Sequence, residues 1–169
     1  MKLKIKTLYL ILPILLTIIS CNNKNESQQQ PEVFLCCGAN PFSSQNIDNL
    51  NQSAGEIKVI PLFTPNGDGV NDIFRIENID FYPNNSVTLY DLNENEIFTT
   101  DNYGINNFYG GNLNIENGTL KYKIVIENEQ TFVKFGYVCV VTGVEEGDND
   151  FSFNTECSLT DFNDPIIPN

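Results

Sequence analysis

The run Phe63-Thr-Pro-Asn-Gly-Asp-Gly-Val-Asn-Asp72, with apolar residues on both sides of it, decides how this chain is read. It packs two glycines, one proline and four Asn/Asp side chains into ten residues, more turn chemistry than a regular strand or helix can carry. Gly67 and Gly69 can take positive φ at no steric cost, while Asn66, Asp68, Asn71 and Asp72 offer short oxygens. Those oxygens have two uses: they fold back onto backbone N–H groups as Asx turns, or they point at a cation. As a calcium loop counted from Thr64, the oxygens fall on Thr64, Asn66 and Asp68, with Gly69 sixth, the Val70 carbonyl seventh and Asp72 ninth. The twelfth place, where a bidentate Glu belongs, is Arg75. A calcium ion on Thr64, Asn66, Asp68, Val70 and Asp72 is therefore one expectation, and a turn closed by its own hydrogen bonds without a cofactor is the other.

Outward from this loop the chain reads as strands. Ile57, Val59 and Pro61 alternate with Lys58, Ile60 and Leu62 before it, and Ile73-Phe-Arg-Ile76 follows it. Val87 and Leu89 lie in a third run, and Glu96 to Thr99 makes a fourth after the turn Asn93-Glu-Asn95. Leu120, Tyr122, Ile124 and Ile126 alternate with Lys121, Lys123 and Val125, and a hairpin at Glu127 to Gln130 leads to a partner in which Phe135, Tyr137, Cys139 and Val141 share a face. The segment Asp101 to Gly118, rich in Asn, Gly and aromatics, reads as an irregular crossover between sheets or as a displayed surface. After residue 20 no amphipathic helical repeat exceeds two turns, so the expected fold is an all-β antiparallel sandwich of about six or seven strands.

The residues from Phe63 to Phe74, together with Tyr82-Pro-Asn-Asn-Ser-Val-Thr-Leu-Tyr90 and the closing Gly136-Tyr-Val, resemble the gliding motility-associated C-terminal domain. That family carries type B sorting signals of the type IX secretion system. The resemblance spans Ile57 to Val141 and implies an immunoglobulin-like β-sandwich on secreted and surface proteins, served by the secretion machinery. Where the family usually continues Asn-Arg-Trp-Gly and later Trp-Asp-Gly, this chain has Asp91-Leu-Asn-Glu94 and Phe108-Tyr-Gly-Gly111, and it contains no tryptophan. The family's signal closes the polypeptide, whereas here residues 142–169 follow the last strand.

The first residues indicate a compartment. Lys2, Lys4 and Lys6 precede an apolar core from Leu8 to Ile19, broken by Pro13, and Ile18-Ile-Ser-Cys21 fits cleavage before a cysteine that receives lipid. The run is shorter than the roughly 20 residues a spanning helix needs. Residues 1–20 are thus expected to be a lipoprotein signal peptide, with Cys21 the lipidation site and the membrane a partner through that anchor. Residues 21–52 read as a tether and cysteine-containing arm, 53–142 as the β-sandwich domain, and 143–169 as an acidic tail with a candidate edge strand at Phe151-Ser-Phe153.

Cys36, Cys37, Cys139 and Cys157 remain, an even number suited to an oxidising compartment. Adjacent cysteines pair poorly with each other, so Cys36 and Cys37 are each expected to reach one of the two distant cysteines. Without histidine or a two-residue cysteine spacing, zinc has little to bind. The net charge of the whole chain is −13; removal of the signal leaves six basic against 22 acidic residues, or −16. Such a surface argues against nucleic acid, whose phosphates need clustered Lys/Arg.

Catalytic chemistry is missing. There is no histidine, a single arginine, and no base placed beside a serine or cysteine. Glu94, Glu96, Asp101 and Asp148 supply carboxylates, for which a solvated surface is a sufficient account. The functional expectation is a non-catalytic binding or structural module on an outer-membrane lipoprotein, facing the cell surface or the periplasm and meeting another envelope protein. A type IX sorting domain and a calcium-stabilised adhesion module are the alternatives.

Overall fold

The computed structural model describes residues 32–105, 107–110, 116–127, 131–143, 151–153 and 164. Their regular structure is almost wholly β-strand, and the fold is an all-β sandwich. The strands are β1 (Glu32–Phe34), β2 (Ile47–Asp48), β3 (Lys58–Val59), β4 (Leu62–Phe63), β5 (Ile76–Glu77), β6 (Asn85–Tyr90), β7 (Glu96–Asp101), β8 (Gly118–Glu127), β9 (Thr131–Val140) and β10 (Phe151–Phe153). One 3-10 turn, Ile79–Phe81, precedes β6.

The main sheet runs β2-β9-β8-β6-β7, with β4 lying parallel to the far end of β9. Opposite it lie the short antiparallel pair β3–β5 and the irregular segments around Ile79 and Tyr103, and the core sits between. A second two-stranded pair joins β1 and β10 in parallel, bringing the tail's Phe151–Phe153 back beside the arm. More strand segments appear than the alternation predicts, because runs that read as one strand are divided. The run from Ile57 to Phe63 changes sheet in the middle: Lys58–Val59 pairs with β5, while Leu62–Phe63 pairs with β9. Pro61 sits at the change, where its missing N–H leaves no ladder bond to lose and its carbonyl accepts from Cys139 N at 2.8 Å.

The β8–β9 hairpin carries the strongest period-two pattern and forms the centre of the sheet, in register from Gly118↔Val140 to Glu127↔Thr131. On β8, Tyr122, Ile124 and Ile126 face the core as their alternation predicts. On β9 the core face is Phe132, Val138 and Val140. Phe135, Tyr137 and Cys139 do share a face, but it is the outer one, and the arm covers it. The Phe42 ring lies 5.1 Å from Phe135 and 5.4 Å from Tyr90, with Lys121 Nζ 5.5 Å above it. Lys121 is buried there and reaches Glu94 Oε1 at 3.1 Å. Gly136 is a glycine because Tyr122 crosses directly over it: a Cβ would meet the phenolic oxygen at 2.4 Å. Burial pushes the Tyr122 hydroxyl up to about 12.

The core is aromatic although it lacks tryptophan. Phe74 packs 6.1 Å from Tyr103, 5.6 Å from Tyr122 and 6.1 Å from Phe63, and Tyr109 closes the cluster against Phe98 at 5.0 Å. So the crossover segment turns Tyr103 and Tyr109 inward and leaves Phe108 exposed. Burial raises the Tyr103 hydroxyl well above its ordinary value, and as a donor it satisfies the Phe74 carbonyl. Asn85 ties this segment to the sheet. Its buried amide donates to the carbonyls of Tyr82 at 2.8 Å and Tyr103 at 3.2 Å, and its oxygen accepts from Tyr103 N at 2.8 Å.

The β6–β7 turn is closed by Asp91. Its carboxyl is held below the ordinary 3.8 by the Asn95 side chain first, then by the backbone N–H of Asn95 and of Asn93 and the charge of Lys121, against a desolvation that raises it. The β9 edge beyond β8 is closed by different means along its length. Ile47 and Asp48 pair with Val133 and Phe132, Asn46 Oδ1 accepts from Phe135 N at 2.9 Å, and Phe63 O accepts from Val141 N at 3.1 Å.

Two tests follow from this framework. Asn85→Ala strands two carbonyls and one N–H in the core and should lower unfolding free energy by about 3 kcal/mol in a urea titration. For Asp91, whose folded pKa is depressed, the stabilisation is present above pH 3.8 and is lost as pH falls through the lower folded value. Thermal melts of the parent should therefore fall more steeply on acidification from pH 6 to about pH 3 than melts of Asp91→Asn.

Candidate functional site

The Phe63–Asp72 loop leaves the sheet from β4 and is shut at its neck by Thr64 N donating to Asn71 O at 2.8 Å. Gly67 and Gly69 have φ of 81° and 89°, and Asn71 takes 52°. Inside the loop, Asp72 is the hub: Oδ1 accepts from Gly67 N at 2.6 Å and Oδ2 from Gly69 N at 2.7 Å. Asn66 Oδ1 accepts from Asp68 N at 3.0 Å and Asp68 Oδ1 from Val70 N at 2.8 Å, which are Asx turns in series. Asn66 Nδ2 completes the ring by donating to Asp68 Oδ2 at 3.0 Å.

This arrangement bears on the calcium expectation. Of the five residues named for it, Asn66, Asp68 and Asp72 turn their oxygens onto the loop's own donors. Thr64 is fully buried at the neck, with its hydroxyl 3.2 Å from the Val70 carbonyl. Among the described residues no group of three or more His, Cys, Asp or Glu side chains is placed to hold a metal. The donor set present fits hydrogen-bonded turns better than a cation shell, which would need these oxygens to converge on one point.

The loop has one partner that the local pattern does not suggest. Asp164, far down the tail and almost fully buried, brings Oδ2 to 2.5 Å from Thr64 Oγ1 and 3.2 Å from Asn71 Nδ2. The only hint in the sequence is that the tail still carries apolar and acidic residues together at Phe162-Asn-Asp-Pro-Ile-Ile167.

Of the candidate cysteines, Cys36 and Cys139 are bonded to each other across a sequence separation of 103 and are wholly buried. Cys37 is disulfide-bonded as well. Cys157 and the lipidation candidate Cys21 lie outside the described residues, as does Asp148. The remaining carboxylates considered from sequence, Glu94, Glu96 and Asp101, are all exposed. A cleft of about 420 Å³ between the ends of β6, β7 and β8 holds Asp101 and Glu127, both exposed, so nothing there dehydrates one of them. A second, of about 390 Å³, lies between the 3-10 turn and the Tyr103–Phe108 segment, with Arg75 and Asp80 at its rim.

Residues 57–140 match the family model described as the CHU_C type IX secretion signal domain. No curated protein and no solved structure matches the chain.

The hub role of Asp72 and the inward turn of its neighbours give two expected outcomes. Asp72→Asn replaces one acceptor oxygen with a donor facing an N–H and should cost about 2 kcal/mol in chemical denaturation. If the loop is held by its own hydrogen bonds, melting curves of the parent in millimolar calcium and in chelator should coincide within about 1 °C, whereas a calcium-dependent rise would establish the cation site.

Proposed function

Residues 57–140 belong to the type IX secretion signal domain family, and on that premise we propose that the mature chain is a lipid-anchored envelope protein whose sandwich is a non-catalytic binding or structural module. The observation that carries this reading is how the chain on both sides is fastened to the module. Cys36, ahead of the matched residues, is bonded to Cys139 in β9, and Asp164, beyond them, is bonded to the signature loop. A module clamped from both ends is part of a larger folded unit rather than a bare terminal tag. The basic and apolar first residues and Ile18-Ile-Ser-Cys21 support lipid on Cys21. Two or three acyl chains would make that attachment stable where one chain is marginal. The anchor puts the protein in the outer membrane, at the cell surface or facing the periplasm, with another envelope component as its partner.

Sorting by the type IX machinery is the second reading, and the family match itself favours it. On that reading the same sandwich is recognised by the secretion apparatus before it reaches its final place.

The two readings separate by experiment. Cys21→Ser should move the protein from the membrane fraction to the soluble fraction and abolish labelling with radioactive palmitate. Persistence in the membrane would overturn the anchor. A passive reporter fused to residues 53–142 or 53–169 should stay cell-associated if the module only binds or supports, and its export would establish sorting instead. Protease added to intact cells should degrade a surface-facing chain and spare a periplasmic one.

A further inference from the structure

The contact between Asp164 and the signature loop differs in kind from the bonds that the Asn and Asp side chains of residues 66–72 accept within it. Asn66, Asp68 and Asp72 spend their oxygens on amides within six residues of themselves. Thr64 Oγ1 and Asn71 Nδ2 instead direct hydrogen toward one oxygen of a residue 100 and 93 positions away. Thr64 has a single hydroxyl proton and two acceptors near it, the Val70 carbonyl at 3.2 Å and the Asp164 carboxylate at 2.5 Å. The Asp164 oxygen is the closer acceptor, so the proton lies toward it. The Thr64 N to Asn71 O bond holds the two donors side by side. The Asx network that shapes the loop contains no atom of Asp164, so the donors keep their places without it.

We propose that Thr64 and Asn71 form a preformed carboxylate-binding notch that accepts the aspartate side chain of an acidic peptide, with Asp164 of the same chain as its resident ligand. The notch is a site of the folded mature chain and stands whether or not Cys21 is lipidated or the module is sorted. Its ligand class follows from the donor set: a neutral hydroxyl and a neutral amide, whose hydrogen bonds among the described residues involve no basic side chain, recognise one carboxylate oxygen by geometry rather than by charge. Because the mature protein is strongly acidic, an acidic peptide that binds here does so against repulsion, and salt should strengthen the binding by screening it.

The test uses the full mature chain and a fluorescein-labelled peptide of residues 160–169, read by anisotropy. In the parent, the tethered Asp164 competes at an effective concentration near millimolar, so Asp164→Ala should bind the peptide at least about tenfold more tightly. Adding Thr64→Val to Asp164→Ala should abolish the gain, and so should a peptide carrying Asn at the position of Asp164, with Asp161 kept. Raising the salt should tighten binding. Hydrogen exchange at Gly67 and Gly69 should match the parent in Asp164→Ala, since their acceptor is Asp72. Equal binding by parent and Asp164→Ala overturns the proposal, as does no binding by Asp164→Ala up to about 1 mM, undiminished binding of the Asn peptide, or loss of protection at the two glycines. If Asp164→Ala does not fold, Asp164→Ser takes its place with the same expected and overturning results.

Discussion

Strand β9 is buried along most of its length and on both faces, and a strand so placed must have its backbone polar groups paired while its side chains are covered twice. One edge is met by β8 in an unbroken ladder. The other is met piecemeal by β2, by the Asn46 side chain, by Pro61 and by β4, each taking a different part of it. Towards the core, Val138 and Val140 pack among the aromatics; towards the outside, Phe135 meets Phe42 and Cys139 is bonded to Cys36. Most of the architecture is a response to that demand. The arm is drawn onto the sheet to cover the outer face, and the first strand changes sheet at Pro61 to close the edge.

The opposite layer is thin in regular structure and compensates with side-chain bonds. Ladders as short as β3–β5 cannot hold a crossover in place by themselves. Asn85 and Tyr103 do this work, one binding the carbonyls of Tyr82 and Tyr103, the other reaching Phe74 O while its ring packs between Phe74 and Phe98. A tryptophan would bring more area with one donor. Tyrosine brings slightly less area and a hydroxyl that both donates to Phe74 O and accepts from Tyr109 N.

The signature loop belongs to both layers of the argument. Its internal bonds close it on itself, and its neck presents two donors to a carboxylate from the tail. With the Cys36–Cys139 bond, that contact makes the family module one part of a longer folded unit. The buried polar side chains among the described residues, Thr64, Asn85, Lys121 and Asp164, are all engaged in hydrogen bonds of the framework.

The all-β class, the β6–β7 and β8–β9 hairpins and the turn character of Phe63–Asp72 were legible in the sequence, because each depends on residues within a few positions of one another. Period-two alternation marks a strand, and clustered Gly, Asn and Asp mark a turn, wherever the strand or turn ends up. Alternation does not say which of its two faces is the core, and on β9 the outer face, with Phe135 and Tyr137, looks as apolar as the inner one. Nor does it show that the run from Ile57 to Phe63 serves two sheets, since both halves obey the same pattern. The Cys36–Cys139 bond and the seat of Asp164 join residues 103 and 100 positions apart. Nothing local encodes such pairs: they exist only once the sheet has brought its edges, arm and tail to the same place.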